Sequence, residues 1–417
     1  MESINWILNR RAWECEDSEA ARRIIPNSVA TATRRFHSQI PGYRISPLKS
    51  LGRLASMLHL GGIWVKDESQ RLELNSFKVL GGSYAIYNVL RRKLGLADSQ
   101  VTLDDLRSQE VRDRLGILTF AAATDGNHGR GVAWAAEKLG HRCVIYVPRG
   151  TAAARISAIE GYGAQVTVID GNYDEAVERI WEDAETNGWE VISDTAWQGY
   201  EDIPTWVMQG YATLFAEAQE QLAAQGIVRP THVFLQAGVG ALAASGVAYY
   251  RSLFGSSAPL TTIVEPTTTA CLFESVRIGE GKPYQIEGDL HTIMAGLSCG
   301  RPNPIAWDVL WDCAQVFIAC PDFVAARGMR IYAVPLSDDP FVVSGESGAV
   351  TLGVLSLIMQ RSELAPLRDR LGLGDDSHVL LINSEGNTAP DEFRRVVWEG
   401  ALGVPASFGV SEVARLH

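Results

Sequence analysis

The chain has 417 residues, of which 46% are hydrophobic, and its formal net charge is −12. This length and composition predict a globular protein with two domains, or one large α/β unit with an insertion. The acidic excess argues against a nucleic-acid partner, because phosphate binding needs a basic surface. No apolar run reaches the ~18 residues of a membrane helix, and the N-terminus lacks the order of a signal peptide. We therefore expect a cytoplasmic protein that binds small molecules and does not associate with membranes.

Residues 1–50 are predicted to form an irregular arm that wraps around the rest of the protein. Residues 62–68 are predicted to form a strand that is followed by a helix. Apolar strands then alternate with helical patterns at residues 117–121, 143–147 and 166–169. A second series of strands follows at residues 233–235, 262–264, 316–318 and 379–382. This βαβα order predicts two mostly parallel sheets with helices on both faces.

Six cysteines lie far apart and form no Cys-x-x-Cys pair. Their spacing predicts free thiols and no zinc site. A bridge between Cys271 and Cys299 stays open as an alternative, because both residues fall in the same region.

A single lysine stands among apolar and small residues in the segment Asn-Ser-Phe-Lys-Val-Leu-Gly-Gly, residues 75–82. Helical spacing continues after it, which places Lys78 on the first turn of a helix. Most lysines lie at the surface with the ammonium in water. Because an ammonium among apolar neighbours is costly to bury unless it loses its charge, Lys78 is a candidate for Schiff-base formation.

The lysine segment resembles the Ser-Phe-Lys-x-x-Gly-[Gly/Ala] signature of fold-type II pyridoxal-phosphate enzymes, such as threonine dehydratase, serine racemase and tryptophan synthase β. The resemblance implies a two-lobed α/β fold in which each lobe is a mostly parallel twisted sheet covered by helices, with the active site in the cleft between them. It implies that Lys78 binds pyridoxal 5′-phosphate and that Ser76 contacts the substrate. It further implies a homodimer, a small inserted domain at residues 89–205, and a large cofactor-binding domain built from residues 1–88 and 206–417.

A second candidate segment, Thr-Asp-Gly-Asn-His-Gly-Arg-Gly at residues 124–131, follows a predicted strand. Its glycines allow a tight turn, and free N–H groups at the next helix start favour an amino-acid carboxylate. The segment resembles the Ser-x-Gly-Asn-His-[Ala/Gly] loop of the same enzymes, and the resemblance implies that Asn127 donates to the phenolic oxygen of the cofactor ring. The predicted substrate contacts here are Thr124, Asp125, Gly126 and His128.

Asp125 departs from the broader fold-type II pattern, in which dehydratases and racemases carry serine or a small residue. A carboxylate in a half-closed pocket can act as a general base with a raised pKa, or anchor a second positive charge on the substrate. A helix N-cap is the structural alternative.

A second acid, Asp194, follows a short apolar strand in the segment Ser-Asp-Thr-Ala-Trp-Gln-Gly-Tyr, residues 193–200. Together with the lysine segment and the loop at 124–131, this segment resembles the diaminopropionate ammonia-lyase family. The resemblance implies that Asp125 and Asp194 are the bases for the two enantiomers of 2,3-diaminopropionate, acting from opposite faces. A turn or cap role for Asp194 is the alternative.

The segment Gly-Val-Gly-Ala-Leu-Ala, residues 238–243, links a predicted strand to a helix. With Glu265 at the end of the next strand it imitates a dinucleotide-binding fingerprint. Backbone N–H groups at a helix start suit the phosphate of pyridoxal phosphate equally well, and Lys78 decides for that cofactor. The predicted phosphate-binding residues are Gly238, Val239, Gly240, Ala241 and Leu242.

Three further acidic or hydroxyl residues complete the prediction. Glu265 is similar to a metal-binding glutamate of serine racemase relatives, but Thr269 and Cys271 leave the oxygen ligands incomplete, so we predict no metal. Glu346 lies in a turn similar to one beside the cofactor and is expected to shape the site. Ser384 matches the serine that meets the pyridine nitrogen, and its neutrality favours elimination over a long-lived carbanion.

These patterns predict a pyridoxal-phosphate-dependent lyase that performs α,β-elimination on 2,3-diaminopropionate to give pyruvate and ammonia. A serine or threonine dehydratase, a racemase or a β-substitution enzyme of the same fold stays open, although a dehydratase or racemase is expected to carry a hydroxyl residue at position 125. An NAD(P)-dependent oxidoreductase would use Gly238, Gly240 and Glu265, but it leaves the lysine segment unexplained.

Overall fold

Two β-sheets organise the chain in the computed structural model, which describes residues 3–97, 101–124, 126–406 and 409–412. The strands are β1 (Ser3–Leu8), β2 (Leu48–Ser50), β3 (Gly62–Asp67), β4 (Thr119–Ala123), β5 (Arg142–Pro148), β6 (Gln165–Ile169), β7 (Glu190–Val191), β8 (His232–Gln236), β9 (Leu260–Pro266), β10 (Val316–Cys320), β11 (His378–Asn383) and β12 (Gly409–Glu412). Among the described residues, eight strands form the larger sheet in the order β12-β1-β10-β9-β8-β11-β3-β2, and four form the smaller sheet in the order β6-β5-β4-β7.

Helices surround both sheets. They are α1 (Arg10–Glu14), α2 (Glu19–Ile24), α3 (Val29–His37), α4 (Gly52–Met57), α5 (Lys78–Leu94), α6 (Leu103–Leu106), α7 (Gln109–Leu115), α8 (Asn127–Lys138), α9 (Ala153–Glu160), α10 (Tyr173–Asn187), α11 (Asp202–Ala224), α12 (Ala241–Phe254), α13 (Cys271–Ile278), α14 (Pro304–Cys313), α15 (Asp322–Ala333), α16 (Glu346–Gln360), α17 (Ala365–Leu371) and α18 (Pro390–Val397). Within the part of the chain that the structure describes, none of these helices combines the length and apolar character needed to cross a bilayer.

The predicted fold class is confirmed. The smaller sheet is parallel throughout, and the larger sheet is parallel except where β1 meets β10 and β2 meets β3. Strands β8 and β10 are buried at every position, as expected for parallel strands covered by helices on both faces. The alternation of strands and helices in the sequence therefore predicted the two mostly parallel sheets correctly.

The prediction of an irregular arm over residues 1–50 is wrong. Residues 3–8 form β1, which pairs with β10 inside the larger sheet, and helices α1 to α3 follow it. Half-buried and buried residues alternate over Ser3–Trp6, where Ile4 and Trp6 are almost fully buried, and Ile7 is buried as well. This two-residue period is the signal of a strand with one face in the core.

Helix α5, which begins at Lys78, is packed between α8 and α11. The backbones approach closely: a Cβ on Gly131 of α8 would lie 2.9 Å from Val79 Cα, and one on Gly210 of α11 would lie 2.4 Å from the Leu80 carbonyl oxygen. Only glycine allows these contacts, so the first turns of α5 are held from two sides. The predicted domain boundaries after residues 88 and 205 fall inside α5 and α11, and the division into two domains stays a prediction.

A buried ion cluster lies at the end of β3, ahead of the lysine segment. Glu217 Oε2 lies 2.7 Å from Lys66 Nζ and 2.6 Å from Arg71 Nη2, and Arg71 Nε donates to Glu68 at 2.8 Å. All four side chains are fully buried. Burial alone would raise the pKa of Glu217, but Arg71 and Lys66 outweigh it and lower that pKa to about 2.

The backbone between this cluster and Lys78 is strained. Leu72, Glu73 and Asn75 have φ angles of 49°, 61° and 56°, in the left-handed region that residues with a Cβ disfavour. Each such residue costs on the order of 1 kcal/mol and persists only where its surroundings fix it. The ion cluster at one end and α5 at the other supply that constraint.

Candidate active site

A pocket lies where the carboxyl ends of strands from the two sheets face one another, the usual place for a ligand in open α/β sheets. It brings together most of the predicted site residues: Lys78, Thr124, Asn127, His128, Asp194, Gly238, Val239, Gly240, Ala241, Leu242 and Ser384. Ser76 is buried behind this lining, and Gly126 lines a neighbouring cavity that shares Asn127. Asp125 lies outside the described residues.

An ion pair joins the two sides of the pocket. Lys78 Nζ, at the start of α5, donates to Asp194 Oδ2 at 2.5 Å, and the Tyr173 hydroxyl donates to Asp194 Oδ1 at 3.0 Å. The side chains of Lys78 and Asp194 are 17% and 4% exposed. Burial alone would raise the pKa of Asp194, but the Lys78 ammonium and the two hydrogen bonds hold it well below its usual range. Asp194 is therefore an ionised acceptor in contact with the predicted cofactor lysine.

The turn before Lys78 is paired with the turn after β11. Phe77 N donates to the Ser384 carbonyl at 3.2 Å, and Gly386 N donates to the Asn75 carbonyl at 2.9 Å. Ser76 Oγ accepts a hydrogen bond from Lys78 N at 3.3 Å, so its hydroxyl supports the start of α5. This pairing brings Lys78 and Ser384 close together, although they are 306 positions apart in the sequence (384 − 78).

The loop after β4 is held by its own side chains. Thr124 Oγ1 accepts from Gly126 N at 2.9 Å and from Gly129 N at 3.1 Å. His128 Nε2 lies 2.7 Å from the Ile192 carbonyl oxygen, and burial lowers the pKa of the imidazole. A neutral ring that donates to this carbonyl ties the loop to the segment after β7. The predicted contacts of Thr124, Gly126 and His128 with a substrate stay predictions.

A glycine-rich turn links β8 to α12. Gly240, the residue before the helix, has a φ of +98°, which favours glycine. The N–H groups of the first turn of α12 have no acceptor within the helix and carry the positive end of its dipole. This turn lines the pocket and has the character of a phosphate site.

Ser384 and Gln236 meet in the pocket lining. Gln236 Nε2 donates to Ser384 Oγ at 2.8 Å and to the Ile382 carbonyl oxygen at 2.9 Å. Because Ser384 Oγ accepts from Gln236, its own hydrogen is directed elsewhere and can be donated to a ring nitrogen. The pocket thus offers an amine for a carbonyl, an anion cradle for a phosphate and a neutral donor, which fits pyridoxal phosphate.

Glu265 does not serve a nucleotide ribose. It is fully buried, and its two carboxylate oxygens accept from Leu272 N at 2.9 Å and Phe273 N at 2.8 Å at the start of α13. Burial raises its pKa to about 8. A side chain used to cap a helix inside the core is not free to bind a ligand, which removes the residue that the oxidoreductase alternative needs.

The remaining predicted features lie near the pocket. No disulfide joins Cys271 to Cys299, and Cys299 is part of the pocket lining. Glu346 lies outside the lining, where burial and the nearby Glu385 raise its pKa to about 7. Among the residues that the structure describes, no group of three acidic, histidine or cysteine side chains is arranged to hold a metal.

Gln236, Glu385 and Tyr173 line the pocket and were not among the predicted site residues. Gln236 ends β8 and Glu385 follows Ser384, so each adjoins a predicted segment. Their polarity at the end of an apolar strand was the available signal. Tyr173 lies at the start of α10, and its 3.0 Å contact with Asp194 joins residues that no local pattern connects.

The chain matches known enzymes over nearly its whole length. The family model described as pyridoxal-phosphate dependent enzyme matches residues 40–384. The chain is 45% identical over 383 residues to the diaminopropionate ammonia-lyase of Salmonella typhimurium, which is 91% of this chain and 95% of the relative.

Solved structures agree with this. The holo form of diaminopropionate ammonia lyase from Escherichia coli superposes with a TM-score of 0.90 at 44% identity, covering 97% of this chain and 99% of that chain. The same E. coli enzyme in complex with an aminoacrylate-PLP azomethine intermediate superposes with a TM-score of 0.88 at 44% identity and the same coverage. The chain belongs to the diaminopropionate ammonia-lyase family of pyridoxal-phosphate-dependent enzymes.

Proposed function

We propose that this protein is a pyridoxal-phosphate-dependent lyase that converts 2,3-diaminopropionate to pyruvate and ammonia by α,β-elimination. The observation that carries the proposal is the 2.5 Å contact of Lys78 Nζ with Asp194 Oδ2 in a pocket that also holds an anion cradle and the Ser384 hydroxyl. The relatives of similar length, which are named as diaminopropionate ammonia-lyases, support the choice of substrate.

The residues that hold the cofactor have separate tasks. Lys78 supplies the amine that binds the cofactor carbonyl, and residues 238–242 supply backbone N–H groups for the phosphate. Ser384 offers its hydroxyl hydrogen to the ring nitrogen. Bound pyridoxal phosphate supplies an electron sink for the electron pair left when Cα loses its proton.

Asp194 is the base that the described residues offer. Tyr173 holds one carboxylate oxygen, which leaves the other directed at Lys78. A base works best when its pKa lies near the operating pH. Because the charge on Lys78 keeps the pKa of Asp194 low, loss of that charge raises this pKa and makes the carboxylate a stronger proton acceptor.

We further propose that Asp194 and Asp125 act on opposite enantiomers of the substrate. Asp194→Asn and Asp125→Asn should then each lower kcat by about 10²- to 10⁴-fold on one enantiomer and much less on the other, the usual contribution of a general base. Steady-state assays with D- and L-2,3-diaminopropionate measure the two losses. If one variant loses activity equally on both enantiomers, that aspartate has a structural role.

The substrate assay compares 2,3-diaminopropionate with serine and threonine as substrates of the purified protein. Elimination from diaminopropionate gives two molecules of ammonia for each pyruvate, because both nitrogens leave, whereas serine gives one. We expect turnover of diaminopropionate at that ratio. Activity confined to serine or threonine would reassign the protein as a dehydratase, and activity that needs an added nucleophile would reassign it as a β-substitution enzyme.

We also propose that the protein is a homodimer, that residues 89–205 form the smaller domain, and that it acts in the cytoplasm. The family resemblance supports the first two statements. Light scattering of the purified protein tests the first, and a single-subunit mass in the active fraction would refute it.

A further inference from the structure

Glu385 is a buried carboxylate of the pocket lining, and the proposed proton transfer does not use it. It is 1% exposed and directly follows Ser384. Its Oε2 accepts from Asn127 Nδ2 at 2.6 Å and from the Thr388 hydroxyl at 3.2 Å, and its Oε1 accepts from Ser347 N at 3.2 Å. The two carboxylate oxygens therefore serve donors on different sides.

The contact with Asn127 connects the two sheets. Asn127 opens α8 after β4 of the smaller sheet, whereas Glu385 follows β11 of the larger sheet. The Glu385 backbone is fixed as well, because its carbonyl accepts from Gly345 N at 3.1 Å and it forms an antiparallel bridge with Ser76. The carboxylate is thus a fixed reference point for the Asn127 side chain.

The Glu385 carboxylate also fixes the orientation of the Asn127 amide. An ionised carboxylate has acceptors only, so it selects the nitrogen of the Asn127 amide and excludes the oxygen. One N–H of Asn127 is used on Glu385, and the second N–H and Oδ1 are directed elsewhere. A hydrogen bond to a charged acceptor is stronger than one between neutral groups, which makes this orientation firm.

We propose that Glu385 is a positioning residue that orients the Asn127 amide so that its second N–H faces the bound cofactor ring. This inference rests on the proposed function, because it needs pyridoxal phosphate in this pocket. In this role Glu385 acts through its hydrogen bond with Asn127 and takes no proton from the substrate.

Glu385→Gln tests the proposal with little change of shape. Glutamine has one acceptor oxygen where glutamate has two, so it can keep the bond from Asn127 or the bond from Ser347 N but not both. We expect the variant to bind pyridoxal phosphate about tenfold more weakly or worse, the loss of one hydrogen bond to a charged group. Titration of the cofactor-free protein measures the affinity, and the absorption maximum of the bound cofactor should shift as well.

A double-mutant cycle separates positioning from a general structural effect. If Glu385 acts through Asn127, then Glu385→Gln should add no further loss of cofactor affinity in an Asn127→Ala background. If Glu385→Gln does not fold, Glu385→Asp takes its place in the same cycle, because it keeps the charge and withdraws the carboxylate by one methylene.

Glu346→Gln is the matched control. Glu346 Oε2 and Glu385 Oε2 both lie 3.9 Å from Arg155 Nη2, so the two carboxylates share one guanidinium. Glu346 is 2% exposed and has no contact with Asn127 among the hydrogen bonds of the described residues. Because Glu346 is expected to shape the site without contacting Asn127, we expect this variant to weaken cofactor binding less than Glu385→Gln does and to leave the absorption maximum in place.

Several results would overturn the proposal. Additive losses in the cycle would mean that Glu385 acts independently of Asn127, and equal effects of Glu346→Gln and Glu385→Gln would mean that the charge of the cluster matters and not the orientation of one amide. A wild-type protein that binds no pyridoxal phosphate would overturn the proposed function together with this inference, whereas coloured wild-type protein with an unaltered Glu385→Gln variant overturns this inference alone.

Discussion

Replacing Asp194 by asparagine should destabilise the cofactor-free protein through Lys78. Asp194 Oδ2 lies 2.5 Å from Lys78 Nζ, and both side chains are largely buried. The amide keeps the shape of the carboxylate and can still accept from the Tyr173 hydroxyl, but it removes the negative charge. The Lys78 ammonium is then left without the counter-charge that Asp194 supplies.

The size of the loss follows from burial. Removing one partner of a buried ion pair costs about 3–5 kcal/mol where nothing else compensates the remaining charge. Lys78 makes a further interaction besides the one with Asp194, which reduces the cost. Since the Lys78 side chain keeps 17% of its exposure, some solvent still reaches the ammonium. We therefore expect the low end of that range, about 3 kcal/mol.

The difference in the free energy of unfolding between wild type and Asp194→Asn should decrease at low pH. The folded-state pKa of Asp194 is depressed below its unfolded value, which is about 3.9 for aspartate. The stability that the carboxylate contributes is thus fully present above about pH 4 and is lost as pH falls further through the folded-state pKa. The difference in the free energy of unfolding between wild type and Asp194→Asn should be constant from pH 7 to about pH 4.5 and decrease at lower pH.

Urea denaturation of the cofactor-free proteins measures the loss of stability caused by Asp194→Asn. The same substitution in a Lys78→Ala protein tests whether the ion pair is the cause. In Lys78→Ala the Asp194 carboxylate is buried without its ammonium, so Asp194→Asn should there be neutral or stabilising. An equal loss of stability in both backgrounds would show that the ion pair is not the cause.

The remaining predictions concern the cofactor and the buried ion cluster. Lys78→Ala should abolish the yellow chromophore and turnover, and a variant that keeps both would contradict its role. Ser384→Asp should prolong the long-wavelength absorbance that follows Cα proton removal, because an aspartate holds the ring nitrogen protonated; an unchanged spectrum would mean that the nitrogen has another partner. Glu217→Gln should cost about 3–5 kcal/mol by leaving Lys66 and Arg71 short of a counter-charge, as measured by denaturation. Because the pKa of Glu217 is lowered to about 2, this contribution should disappear as pH falls from about 4 towards 2, and a loss that persists at pH 2 would refute the assignment.

The sequence predicted the parts of the site that short segments carry. Lys78 on the first turn of a helix, the glycine turn that opens α12 and Ser384 after β11 were each fixed by a strand or helix pattern next to a distinctive residue. Parallel strands bring their carboxyl ends to one edge of a sheet, so such segments meet without further information.

Contacts between distant segments were not predictable in the same way. The Asn127 to Glu385 hydrogen bond spans 258 residues, and the Lys78 to Asp194 bond spans 116. Glu385 and Tyr173 look like ordinary polar residues until the two sheets are placed together. Strand β1 was missed for another reason, since six residues with a short two-residue period are a weak signal beside the polar, arginine-rich stretch that follows.

The most direct test of the account is to reduce the purified coloured protein with borohydride and map the modified peptide by mass spectrometry. Lys78 is expected to carry the one pyridoxyl-phosphate adduct, and reduction during turnover, while 2,3-diaminopropionate occupies the cofactor in place of the lysine, is expected to give less of it. A protein that takes up no pyridoxal phosphate, or that carries the adduct on another lysine, would contradict the central claim.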